Sequence, residues 1–324
     1  MRNQWIKKAV VLLTVAAVGF GVTGCGGQAS DSTQATKAVP NKTIAFIPPT
    51  MVSAFYEQTI TGAKQKAKEL GYEVSVTAPQ KEDDYEGLLK NVEDAITKKV
   101  AAIAICTTDD KTMAIAVQKA NAAKIPVIVF NSQDEVQGTT VYSYVGYNQK
   151  KAGESVAEYL GTKYKDRQCN VAILEGLPGV FTANRGGGFE EAAKNYSNIK
   201  IVAKQAANWE REKGMNAATN MYQANNVINV FYGLSDEMAL GAAQAAKSLG
   251  LKDIITIGID GNPNTLSDIK AGICTASVYT NPFKIGEETI VDCDKAIKGE
   301  KLENIMHEIK TLIVDKDNVD QYLK

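Results

Sequence analysis

Apolar runs and segments of helical period alternate along this chain from residue 43 onward. Thr43–Ile47, Ala101–Ile105 and Val127–Phe130 are short and apolar throughout. Strands of that kind have both faces covered, as in a parallel sheet clothed by helices. Between them lie a helix over Phe55–Leu70 that stops at Gly71, a strand over Glu73–Val76, and helices over Asp84–Lys98 and Lys111–Ala123. Repetition of this type predicts right-handed crossovers in an open parallel sheet. The pattern then starts again. Strands at Val141–Tyr147, Val171–Leu174, Ile199–Val202, Ile228–Phe231 and Ile254–Ile259 alternate with helices at Lys151–Tyr164, near Phe189–Asn195, at Glu210–Ala224 and at Ser235–Leu249. Two such series predict two similar lobes. A strand over Thr275–Tyr279 and a helix over Pro282–Lys298 follow, and there the chain is expected to return to the first lobe.

Ligands of open parallel sheets bind beyond the carboxyl ends of the strands, where strand order reverses. That rule directs attention to Pro48–Tyr56, Thr107–Asp110, Asn131–Gln133, Glu175–Arg185, Asn208–Trp209, Gly233–Asp236 and Asp260–Asn264.

The amino-terminal end has a different character. Arg2, Lys7 and Lys8 precede an apolar run from Ala9 to Phe20, shorter than the ~20 residues of a spanning helix and suited to a signal peptide. Val22-Thr23-Gly24-Cys25 has the form of a lipobox, so residues 1–24 are expected to be removed and Cys25 to be acylated. Residues 25–41 carry no periodic apolar pattern and fit a flexible tether. Without Arg2, Lys7 and Lys8, the 36 basic residues become 33 against 37 acids, a charge near −4. No basic block is present, which argues against nucleic acid as a partner.

Four cysteines remain, Cys106, Cys169, Cys274 and Cys293, at no metal-binding spacing. Buried free thiols are the expected state, with a Cys274–Cys293 bridge as the alternative in an oxidising compartment. The single histidine, His307, lies in a charged stretch and reads as a surface residue. The chain holds no Gly-x-Ser-x-Gly elbow, no phosphate-cradling Gly-x-x-x-x-Gly-Lys and no histidine set for a metal. No enzyme, cofactor or metal is therefore expected.

From Lys42 to its end the chain resembles the ribose/galactose-type periplasmic binding proteins, the type I solute-binding proteins. The likeness is carried by Lys42-Thr-Ile-Ala-Phe-Ile, Phe55-Tyr56, Gly62-Ala63, Glu69-Leu70-Gly71-Tyr72, Ile125-Pro126-Val127-Ile128 and Gly153. It continues through Arg185-Gly-Gly-Gly-Phe189, Ser235-Asp-Glu-Met-Ala-Leu-Gly-Ala242, Gly258-Ile-Asp-Gly261 and Pro282-Phe-Lys-Ile-Gly286. Repressors of the lactose-operon type share this fold but begin with a helix-turn-helix, whose place is taken here by the signal peptide.

The resemblance implies an α/β protein of two doubly wound, Rossmann-like lobes with parallel sheets, joined by a three-segment hinge that closes on a ligand. It implies a first lobe of residues 42–147 plus 281–308, and a second of 148–280 plus 309–324. The implied function is capture of a sugar, mono- or short oligosaccharide, for the permease of an ABC importer, by a monomer held outside the cytoplasm on a lipid anchor. The alternative is a polyol or signalling ligand presented to a chemoreceptor or sensor kinase. Phe55 and Tyr56 fall where the family places an aromatic pair on one ring face, and Trp209 where it places an opposing aromatic. Asp260, Asn131 and Ser235 follow strands as candidate hydroxyl partners. Arg185 matches a family arginine that contacts ligand or braces the lobe, and Thr280, or Tyr279 beside it, sits at the third hinge. Where many relatives carry Asp-Arg after the fourth strand this chain has Asn131-Ser132, and Ala183 replaces another ligand-facing arginine. Loss of these guanidinium forks argues against ribose or galactose and predicts a wider cleft suited to a larger glycoside.

Overall fold

The computed structural model describes residues 41–323. The expected signal peptide, Cys25 and the tether as far as residue 40 lie outside the described residues. The first sheet is built from β1 (Thr43–Ile47), β2 (Glu73–Val76), β3 (Ala102–Ile105), β4 (Val127–Phe130), β5 (Ser143–Gly146) and a late strand, β11 (Met306–Glu308). Its order is β11-β5-β4-β3-β1-β2, parallel throughout. The second contains β6 (Cys169–Glu175), β7 (Ile199–Ala206), β8 (Val230–Gly233), β9 (Ile255–Asp260), β10 (Ala276–Tyr279) and β12 (Leu312–Asp315), in the order β12-β10-β9-β8-β6-β7. Only β12 runs antiparallel to its neighbour. The chain therefore passes between the sheets three times: after β5, after β10 and after β11.

Helices cover both faces, which is why the strands are apolar without alternation. On β1, Ala45 and Ile47 pack with Leu88 and Val92 of α2 (Tyr85–Thr97) and Met113 and Val117 of α3 (Asp110–Ala122). Ile44 and Phe46 point the other way, toward α1 (Ala54–Leu70) and α9 (Pro282–Ile297). The second sheet is covered in the same manner by α4 (Gln149–Lys163), α5 (Val180–Ala193), α6 (Arg211–Ala224), α7 (Asp236–Ser248) and the short α8 (Pro263–Lys270).

Glycines bring helices together in pairs. A Cβ on Gly62 would strike the carbonyl of Phe283, and one on Gly286 the carbonyl of Thr59, so α1 and α9 touch backbone to backbone. Gly153 and Gly188 do the same for α4 and α5, against the carbonyls of Arg185 and Lys150. The glycines that marked the resemblance thus have a packing cause.

Several details differ from expectation. α5 begins at Val180, nine residues before the expected Phe189, because Gly186-Gly187-Gly188 lowers helix propensity where packing requires it. β11 and β12 were not anticipated; each is short, and the two strands pair at sheet edges. The alternative Cys274–Cys293 bridge is not formed. All four described cysteines are free and buried, with Cys274 beside the second sheet and Cys293 on α9 against the first. His307 lies on β11, a third exposed, with its Nδ1 3.4 Å from Asp292.

Candidate ligand-binding site

The carboxyl ends of the two sheets face each other across a cleft. Its inner end is a cavity of about 40 Å3 lined by Ser53, Phe55, Tyr56, Glu82, Asn131, Phe181, Arg185, Trp209, Ser235, Glu237 and Asp260. Seven of the eight residues expected at the site lie on this wall. The exception is Thr280. It is fully buried behind the cleft, where both its N–H and its hydroxyl donate to the Asp260 carbonyl, at 3.1 and 2.8 Å. Tyr279 packs on Tyr322 instead of entering the cavity.

The first lobe presents aromatic rings rooted in its core. Phe55 and Tyr56 open α1, are nearly buried, and meet edge to face at 5.1 Å. Tyr56 leans on Phe130, and its hydroxyl stands 3.5 Å from the Cys106 sulfur. Burial raises the phenol well above its ordinary pKa and the Cys106 thiol to about 12, so both are neutral. Asn131 adopts φ +60° directly after β4. Its N–H donates to Val145, its carbonyl accepts from Gln149, and its Nδ2 lies 3.4 Å from Tyr56 Oη. Its Oδ1 has no partner.

The second lobe presents a buried polar network. Arg185 is 4% exposed and donates to Gln149 Oε1 (2.7 Å), the Leu234 carbonyl (2.6 Å) and Tyr147 Oη (2.6 Å). Its guanidinium lies within 6 Å of the rings of Tyr147, Phe181 and Trp209. Asp260, at the end of β9 with φ 150°, places Oδ1 3.7 Å from Arg185. Burial raises its carboxyl above the ordinary range, with Arg185 opposing that shift. Behind it, Asp236 accepts from the N–H groups of Gly261 and Asn262 and, at 2.5 Å, from Ser277 Oγ. Ser235 caps α7. Trp209 holds φ +68° with its ring against Gly176, and its Nε1 is buried without an acceptor. Positive φ at Asn131, Trp209 and Asp260 costs about 1–3 kcal/mol each, and such strain gathers where side chains are aimed at a ligand.

Two contacts join the lobes at the rim. The Val180 N–H donates to the Thr108 carbonyl at 3.2 Å, and Asn184 Nδ2 to Asp134 at 3.1 Å. These contacts bridge the cleft at its rim, and Phe181, Trp209 and Arg185 line the cavity within it. Outside the cavity lies a vestibule of about 750 Å3 that shares Ser53, Glu82, Trp209 and Glu237 with it. Among the described residues no group of three or more His, Cys, Asp or Glu side chains is placed to hold a metal ion. No described helix is long and apolar enough to cross a membrane.

Glu82, Phe181, Tyr147 and Gln149 were not anticipated. Phe181 lies inside Glu175–Arg185, already marked by the strand-end rule, and Glu82 follows β2, where the same rule applied would have found it. Tyr147 and Gln149 flank the first crossing, and nothing in their types signals a role.

The chain matches the family described as periplasmic binding protein domain over residues 44–301. It is 33% identical to the ribose import binding protein of Bacillus subtilis over 302 residues, 92% of this chain and 96% of that protein. It is 30% identical to the D-allose-binding periplasmic protein of Escherichia coli over 275 residues, 81% of this chain and 88% of that one. Among solved structures it is similar to an ABC transporter periplasmic solute binding protein from Actinobacillus succinogenes 130Z with bound D-allose. The TM-score is 0.81 at 33% identity, covering 88% of this chain and all of that one. A likeness this long, on a cleft so built, makes the chain a member of the periplasmic binding protein family.

Proposed function

We propose that this protein is the extracytoplasmic sugar-capturing component of an ABC importer, closing on one monosaccharide ring and presenting it to the permease. The observation that carries the reading is the pair of orphaned polar atoms in the cavity, Asn131 Oδ1 and Trp209 Nε1. One needs a donor and the other an acceptor, and a hydroxylated ring supplies both while its C–H faces lie on Phe55, Tyr56 and Trp209. Ribose and allose, named for the relatives, are single rings of neutral hydroxyls. Proteins of this family serve transport as binding components and not as enzymes.

Calorimetry with a monosaccharide panel, read beside tryptophan fluorescence, tests this. We expect micromolar binding of at least one pentose or hexose, a fluorescence change lost in Trp209→Phe, and weaker binding in Asn131→Ala. Binding of disaccharides with no response to monosaccharides would refute the single-ring reading. Attachment through Cys25 and action as a monomer belong to the same proposal. Loss of membrane association in Cys25→Ala and a single-chain mass in solution are the expected results.

A further inference from the structure

Glu82 differs from every other ionisable side chain of the cavity. Arg185 and Asp260 face each other, Glu237 is paired with Arg211 at 2.8 Å, and Tyr56 meets Cys106. Glu82 has no hydrogen-bond or ion-pair partner among the described residues, although it is partly buried. It enters from the loop between β2 and α2 and lines both the cavity and the vestibule, so it stands at the neck between them.

The groups around it leave that carboxylate unserved. Lys81 and Asp83 flank it on its own loop, Tyr56 and Glu57 face it from α1, and Cys106 lies at the end of β3. Across the cleft stand Arg185 and Asp260, with Glu237–Arg211 and Glu210–Lys213 already paired beyond them. Three of the five N–H donors of Arg185 go to Gln149, Leu234 and Tyr147, and none of its hydrogen bonds reaches Glu82, so it lends Glu82 its field alone. Burial outweighs that field and lifts the Glu82 carboxyl to about 7.

We propose that Glu82 is the specificity-determining residue of this cleft, accepting a hydrogen bond in its ionised form from a hydroxyl or ammonium on the ring edge that faces the vestibule. The inference rests on the sugar-binding reading. Its consequence is proton linkage. A donor on the carboxylate lowers its pKa in the complex, so binding expels a proton whenever Glu82 starts protonated. Affinity is then full above about pH 7 and falls as pH drops, by at most about tenfold per unit.

The test is calorimetry from about pH 8 to about pH 5.5 on the wild-type protein and Glu82→Gln, which keeps the shape and removes the charge. The panel contains neutral monosaccharides and their amino-sugar counterparts. At pH 8 we expect Glu82→Gln to bind about tenfold more weakly, since charge-assisted bonds are about twice as strong as neutral ones. The two curves should converge toward the acid end, with proton release seen in the wild type alone. A preference for the amino sugar that Glu82→Gln abolishes assigns the donor as ammonium; an equal loss for both sugars assigns a hydroxyl. Superimposable pH profiles, or undiminished binding by Glu82→Gln at pH 8, would overturn the proposal while leaving sugar binding intact. A wild-type protein that binds nothing in the panel at any pH overturns both.

Discussion

The two walls of the cleft are built on different principles. The first-lobe wall is core that happens to surface: Phe55 and Tyr56 are among the buried residues that hold α1 to its sheet, continuous with Phe130 and Phe46. The second-lobe wall is a buried charge network, in which Arg185, Asp260 and Asp236 are each at most 5% exposed. Aromatic packing stabilises the lobe whether or not a ligand comes. A buried ion network is weak evidence for stability, and its ordered donors and acceptors instead fix geometry. One wall gives shape as a by-product of folding, and the other gives orientation at a cost to folding.

Substitutions should separate the two. The largest effect is expected for Arg185→Met, which leaves Asp260 buried without its counter-charge and should cost about 3–5 kcal/mol in chemical denaturation, with sugar binding abolished. Phe55→Ala should follow, losing about 3 kcal/mol of stability through the cavity it opens, with binding and stability falling together. Trp209→Phe keeps a ring but removes the orphaned Nε1–H. It should weaken binding by about 1 kcal/mol in calorimetry and leave the thermal midpoint unchanged. Tyr56→Phe is the smallest, under about 1 kcal/mol in either measurement, because its hydroxyl makes only long contacts to Cys106 and Asn131. If Trp209→Phe lowered stability as much as binding, the distinction between the walls would fail.

Periodicity revealed most of the fold because burial on both sheet faces leaves strands with no polar interruption, as in Ala102–Ile105 and Val127–Phe130. It failed where another requirement overrode local preference. Gly188 lies within a helix because the Lys150 carbonyl of α4 presses on it, and Met306–Glu308 is a strand because the edge beside β5 accepts it. In the site, residues that follow strands in chain order were legible, including Asn131, Trp209 and Asp260. Thr280 sits at the expected hinge, but its hydroxyl is spent on the backbone of Asp260. Gln149 could not be foreseen, since its role is to bridge Asn131 and Arg185, 54 residues apart in the chain and joined only by the folded crossing.

The triple passage of the chain between its sheets also governs how a ribosome can deliver it. The first lobe is not contiguous: α9 and β11 are synthesised after ten of the twelve strands exist. Until residue 297 is out, the apolar side of α1, with Ile60, Ala63 and Ala67, has no α9 to meet. The nascent polypeptide therefore cannot seal its amino-terminal half first, in contrast to the usual vectorial order. It keeps an oily surface available to holding factors until translation is almost done, and the two halves then mature together.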